Sequence, residues 1–220
     1  MSIGRCLIGV VLSAAALAVA ASSVRAQEAS PDAGPAHSAQ WLAARSVDCL
    51  IRGEDAPTRS AQLAAYAEGF ELATRAVAAD ETNADAHFAL FANQGRLALL
   101  ERGARNPFKL INLRSHLERA LELNPNQPDA LTAKGGLLRQ LPRLLGGNLD
   151  EAADYLRHAV ALDPDNVGAR LELARTYRDL GQPERGVPLV EAAARIAERR
   201  GRERKAVEAR TLLQELSARR

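Results

Sequence analysis

The stretch Asp150–Pro164, DEAADYLRHAVALDP, decides the fold. Ala152, Leu156 and Ala159 stand at steps of four and three, on one face of a helix, and Pro164 follows as a breaker. Gly186, Val190 and Ala193 repeat the pattern, Ala193 lying 34 residues after Ala159, with Glu198 where proline is expected. Upstream, INLRSHLERALELNP carries it through Leu113, Leu117, Ala120 and Pro125, with leucine in the first position. Small residues let this helix sit close to a partner, the large one fills the gap, and proline ends the helix before the next unit. A period of this length means stacked helix–turn–helix units. Function is then expected on the surface of the stack rather than in a buried catalytic pocket.

Working outward, the preceding helix of each unit follows from the register. It carries Leu173, Ala174, Tyr177 and Gly181 in the last unit, Leu131, Gly135 and Leu138 in the middle one, and Phe88, Phe91, Ala92 and Gly95 before that. A degenerate first unit pairs Trp41–Ile51 with Ser60–Ala79, using Gly69, Ala73 and Ala76 for close packing. The spacings are uneven: Ala76 to Ala120 is 44 residues and Ala120 to Ala159 is 39. The excess is expected in the turns around Glu101–Pro107 and Gln140–Gly147, and insertions on one side of a solenoid often line its binding face. Arg202–Ala218 keeps a helical period through Ala206, Ala209, Leu212, Leu213 and Leu216, and reads as a capping helix. Residues 41–220 are therefore expected to be an all-α solenoid of three to four antiparallel helix pairs plus a cap, with no sheet.

The N-terminus reads as an export signal over residues 1–26. Arg5 supplies charge, Leu7–Ala21 is uncharged and mostly apolar, and Val24-Arg25-Ala26 offers small or compact residues at a cleavage site. The run is short of the roughly 20 apolar residues of a membrane span. Cys6 precedes it, where a lipoprotein cysteine would have to follow. The expectation is a periplasmic or secreted protein without a lipid anchor. Residues 27–40, opening QEASPDAGPAHS, read as a tether. Removal of the signal leaves 27 basic against 27 acidic residues, so charge does not argue for nucleic acid. Cys49 is then the only cysteine; it reads as a small buried apolar residue, with an intermolecular bridge as the alternative.

These residues resemble the tetratricopeptide repeat (TPR) family over roughly 60–200. LPRLLGGNLDEAADYLRHAVALDPDN, with its lengthened turn from Pro142 to Gly147, also resembles periplasmic TatT-type TPR proteins associated with TRAP transporters. That second resemblance implies a pocketed bundle that assembles with an extracytoplasmic solute-binding protein. The chain departs from it in lacking a lipoprotein cysteine after the apolar run.

No catalytic spacing is present: there is no H-E-x-x-H, G-x-S-x-G, Gly-rich phosphate loop or paired cysteines. His37, His87, His116 and His158 are scattered, and Asp154 with His158 reads as a surface contact rather than a metal pair. Glu54-Asp55 and Asp150-Glu151 read as acids complementing helix N-termini. No enzyme activity, metal or cofactor is expected.

The TPR resemblance implies that the first helix of each unit lines a concave groove. In the register above, the groove positions are Asn93 and Arg96, then Thr132, Arg139 and Gln140, then Arg175, Arg178 and Asp179. Four arginines would face one groove nearly unopposed, suited to bidentate capture of carboxylate or phosphate. The alternative is ordinary solvated arginines, some paired with Glu172 or Asp179. A second basic cluster over 195–210 carries a net charge of plus four, either as a solvated cap or as an attraction to anionic envelope lipid or an acidic partner. The leading functional expectation is an exported, non-enzymatic adaptor holding a protein or peptide partner in its groove. The alternative is a transport accessory that binds a small anionic or amphipathic ligand, or a solute-binding protein.

Overall fold

A computed structural model describes residues 38–100 and 107–218, and for 107–113 the backbone alone. The expected export signal, residues 27–37 of the expected tether and residues 101–106 lie outside the described residues. Within them the chain is all helical: α1 Ala39–Asp55, α2 Arg59–Ala79, α3 Ala84–Leu100, α4 Pro107–Leu123, α5 Pro128–Gln140, α6 Leu149–Leu162, α7 Val167–Asp179, α8 Pro183–Arg199 and α9 Glu203–Ser217. The four expected helix pairs are α1–α2, α3–α4, α5–α6 and α7–α8, with α9 as the cap. The first helix begins at Ala39, inside the stretch read as tether, because the Ser38 hydroxyl accepts a hydrogen bond from the Trp41 N–H.

Side chains punctuate the elements. Asn148 accepts from the N–H groups of Asp150 and Glu151, and Asn166 from that of Ala169. Asp80, Asn124 and Asp163, just past α2, α4 and α6, each turn a side-chain oxygen onto the N–H two residues on. The second helices α2, α4 and α6 therefore end alike, Pro125 and Pro164 merely following the turn residue, whereas α8 is followed by a turn at Gly201 with φ 65°. Two first helices are also tied to the next: the Gln127 amide before α5 donates to Asp85 of α3, and that of Asn166 before α7 to Asp129 of α5.

The small-residue face packs as its spacing requires. Ala152, Leu156 and Ala159 are sealed from solvent, as are Leu117, Ala120, Val190 and Ala193. Ala159 packs with Leu131 and Ala169, whereas Ala161 is exposed. Ala159→Leu is therefore expected to lose about 1–3 kcal/mol to overpacking, and Ala161→Leu to change stability by within about 0.5 kcal/mol. Thermal melts of the two variants check this; equal midpoints would refute the register.

The uneven spacing has two sources. Eight residues, 141–148, join α5 to α6, against three, 180–182, between α7 and α8, so the lengthened turn is where the spacing placed it. The 44-residue interval differs. Helix α3 runs 17 residues against 13 in α5 and α7, and Gly95, read as the turn glycine, lies inside it. An extra helical turn, not a loop alone, takes up that excess.

The odd-numbered helices form an inner layer. Each touches the next, α1 on α3, α3 on α5, α5 on α7 and α7 on α9, and α9 returns to touch α1. The layer thus closes into a ring, which fixes the surroundings of every expected groove residue.

Candidate functional site

The four arginines do lie on the inner layer, but they are not unopposed. Arg139 on α5 reaches two α7 carboxylates, Glu172 and Asp179, at 3.1 Å each. On α7, Arg175 binds Glu172 at 2.8 Å and Glu208 of α9 at 2.6 Å, and Arg178 binds Asp179 at 3.1 Å and Glu215 at 2.7 Å. Arg96 on α3 pairs with Glu54 at the end of α1. The spacing of each helix showed which residues share a face. Pairing with Glu172 and Asp179, the alternative reading of these arginines, is what the structure has, whereas spacing did not point to Glu54, Glu208 or Glu215.

Other expectations need correction as well. Asn93 does not line the groove. It is wholly buried, and its amide nitrogen donates to the Ser46 carbonyl at 3.2 Å, the Ser46 hydroxyl at 3.0 Å and the Ala89 carbonyl at 3.0 Å. The Ser46 hydroxyl donates in turn to the Gly69 carbonyl at 2.7 Å, so Asn93 ties α1, α2 and α3 together. Thr132 is half-buried and bonds back to the Pro128 carbonyl within its own helix, while Gln140 is exposed at the end of α5. Glu54 and Asp55 close the C-terminus of α1, so they do not complement a helix N-terminus. They face Arg202 instead, at 2.9 Å and 3.1 Å. Asp150 and Glu151, by contrast, do lie in the first turn of α6.

The network sets its own ionisation. Burial would raise the Glu54 carboxyl, but Lys205, Arg96 and Arg202 outweigh it and hold it below the usual carboxylate range. Glu208 is likewise held down, by Lys205 and Arg175 against its burial. The C-terminal basic cluster is mostly paired within the chain. Arg202, Lys205 and Arg210 are paired with acids, and Arg199 and Arg200 reach Asp165.

One constellation was illegible in sequence. His87 on α3 and His116 on α4 bring their Nδ1 atoms to 3.0 Å. His87 Nε2 lies 3.0 Å from the Glu81 carbonyl, which only accepts, so His87 Nδ1 is the acceptor and His116 the donor. Burial, and then His87, lowers the His116 pKa. A base whose folded pKa is depressed contributes stability above its unfolded value and loses it as pH falls through the folded one. The thermal midpoint is therefore expected to decline in two stages on acidification, first below about pH 6.5 as His116 charges. The second stage falls below about pH 4.5, as Glu54 and Glu208 protonate. Melts between pH 7.5 and 3.5 check this. His116→Gln should flatten the first stage and leave the second.

The described residues hold no group of three or more His, Cys, Asp or Glu able to bind a metal, and no helix long and apolar enough to cross a membrane. Asp154 pairs with Arg157, and His158 is exposed. Cys49 is a buried free thiol beside Arg52. The lengthened turn is a built feature. A 3₁₀ turn at Arg143–Leu145 is closed by Leu145 and Gly147 N–H groups on the Pro142 carbonyl, at 2.8 Å and 3.0 Å. It leaves Leu144 98% and Leu145 65% exposed. Gly147 is required there, since a Cβ would fall 1.8 Å from the Leu141 carbonyl oxygen.

Comparison with known families agrees with this architecture. Residues 143–210 match the tetratricopeptide repeat family, and residues 22–140 match the family described as regulator of microtubule dynamics protein 1-3. Similar solved structures include MamA, at 17% identity over 76% of this chain and 83% of that one, with a TM-score of 0.44. Pseudomonas aeruginosa PilF is similar at 16% identity over 80% of this chain and 75% of that one, with a TM-score of 0.47. A thermophilic TPR protein of Thermus thermophilus, TTC0263, is similar at 19% identity over 79% of this chain and 92% of that one, also with a TM-score of 0.47. No curated protein matches the chain. A match over more than half of its length, continued by tetratricopeptide repeats, means that the chain belongs to the regulator of microtubule dynamics protein 1-3 family.

Proposed function

We propose that this protein is an exported, non-enzymatic adaptor that holds a protein partner against the inner layer of its repeats. The observation that carries this reading is the run of ion pairs on α3, α5, α7 and α9, through Arg96, Arg139, Arg175 and Arg178. Each guanidinium already rests on carboxylates, so a partner's acidic side chains would bind by exchange rather than by filling an empty site. Exchange trades one carboxylate for another on the same guanidinium, so no charge is left unpaired, which suits reversible peptide capture. Gln140, exposed beside Arg139, would supply a further polar contact. The family contributes the repeat architecture, and the segment read at residues 1–26 would place the partner in the cell envelope.

A second contact is favoured by the turn at Arg143–Leu145, where hydrogen bonds hold two leucines in solvent. The transport-accessory alternative would require an enclosed, largely apolar pocket of roughly 300–1,000 Å³. Charged residues line the inner layer instead. A depression of about 580 Å³ at the α1–α2 turn lies open at the surface, where Arg52, Asp55 and Glu68 line it together with Ala56, Pro57, Ala61, Ala64 and Ala65.

Site-specific photocrosslinking in the full chain separates these readings. Crosslinkers at Gln140 and Leu144, with one at exposed Ala161 as control, would be activated in envelope extracts. A discrete protein adduct at Gln140, lost with Arg139→Gln plus Arg175→Gln and in high salt, is expected. An adduct at Leu144 alone would move the site to the turn. No adduct at either position would overturn the adaptor reading.

A further inference from the structure

The ring of odd-numbered helices has five junctions, and they are not alike. Leu42, Ala43 and Ala86 join α1 to α3, and Phe88 with Ala130 joins α3 to α5. Leu131 with Ala169 joins α5 to α7, and Leu171, Ala174, Leu212 and Leu216 join α7 to α9. Each of these four is an apolar core. The fifth junction, where α9 returns to α1, is polar. Arg202 Nη2 donates to Glu54 at 2.9 Å, Arg202 Nε donates to Asp55 at 3.1 Å, and Arg204 donates to the Ala56 carbonyl. No apolar cluster among the described residues contains members of both helices.

We propose that this ionic seam is a gate: the ring opens between α1 and α9 while the four apolar junctions hold, and a polypeptide segment enters the inner layer from the side. The difference in chemistry is the reason. Burying apolar surface is favourable whatever the ionic strength, and those junctions include residues sealed from water. The seam is held instead by the charged and polar contacts of Arg202 and Arg204, with Arg202 21% and Asp55 35% exposed, so raised salt or reversal of Arg202 acts on it and leaves the apolar contacts of the other junctions in place. Opening also uncovers a matched surface. Glu54 keeps Arg96, while Arg202 and Arg204 are released and await an acceptor, which an acidic segment of an entering chain supplies. The route of entry rests on the adaptor reading; the movement of the seam does not.

Spin labels at Ser60→Cys and Val207→Cys, in the full chain carrying Cys6→Ser and Cys49→Ser, measure the seam by pulsed electron resonance. A short, narrow distance distribution is expected at low salt. In 1 M salt, or with Arg202→Glu, it should lengthen toward about 10 Å more, one helix diameter, with far-UV circular dichroism unchanged. Asp55→Arg added to Arg202→Glu should restore the short distance. If Arg202→Glu reduces helicity, the salt titration of the otherwise unaltered labelled chain decides alone. A distribution that does not move with salt overturns the gate. A moving seam without a Gln140 crosslink removes only the adaptor reading, and a crosslink with a static seam removes only the gate.

Discussion

Replacing Asn93 with Asp is expected to destabilise the protein by about 3–5 kcal/mol, the range for an uncompensated charge in a core. The Asn93 amide nitrogen gives hydrogen bonds to two carbonyls and a hydroxyl in a fully buried position. A carboxylate oxygen in its place would face the Ser46 and Ala89 carbonyls with no proton to offer. The carboxyl can relieve this only by taking up a proton, so the penalty should grow as pH rises past the carboxylate range. Denaturant unfolding at pH 5 and pH 8 checks both the size and the trend. If Asn93 instead faced an open groove, as its helical position alone implies, the substitution would be nearly neutral at both pH values.

Gly135 and Leu156 give the second large effect, and its form matters as much as its size. A Cβ on Gly135 would fall 2.5 Å from Leu156 Cγ and 3.0 Å from the Ala152 carbonyl oxygen. Gly135→Ala should therefore cost about 1–3 kcal/mol as an overpacked site. Leu156→Ala, at a fully buried position, should cost about 2–5 kcal/mol. Combined, the two should cost less than their sum by about 0.5–3 kcal/mol, because truncating Leu156 removes the nearer clash. Only the Ala152 backbone contact remains. Equilibrium unfolding of the two single variants and the double variant completes the cycle. Strict additivity would show that α5 and α6 do not meet at these two residues.

Both predictions mark how far sequence reached. The steps linking Ala152, Leu156 and Ala159 set a helix face, and the structure seals that face. The lengthened turn before α6 and the cap over Glu203–Ser217 were legible for the same reason, since turn residues and helical period are local properties. Asn93 was misplaced because α3 packs on more than one side: a polar residue at a groove-like position lay against Ser46, 47 residues earlier in the chain. His87 and His116, 29 residues apart, met because α3 and α4 are antiparallel neighbours, a pairing that scattered histidines do not announce.

The sequence by itself determined the helix pairs, the small residues at their contacts and the helices that carry the arginines, because all of these follow from spacing within a helix or a repeat. Tertiary structure decided whether those arginines stay open or meet acids: Glu172 and Asp179 were candidates in sequence, Glu208 and Glu215 were not. Arg139, Arg175 and Arg178 find carboxylates 33 to 40 residues away, and Arg202 finds Glu54 across 148. The physical reason is that each helix pair rotates slightly on the one before it. Local periodicity fixes each face, but only the accumulated rotation decides whether the last helix returns to the first and which charges then meet.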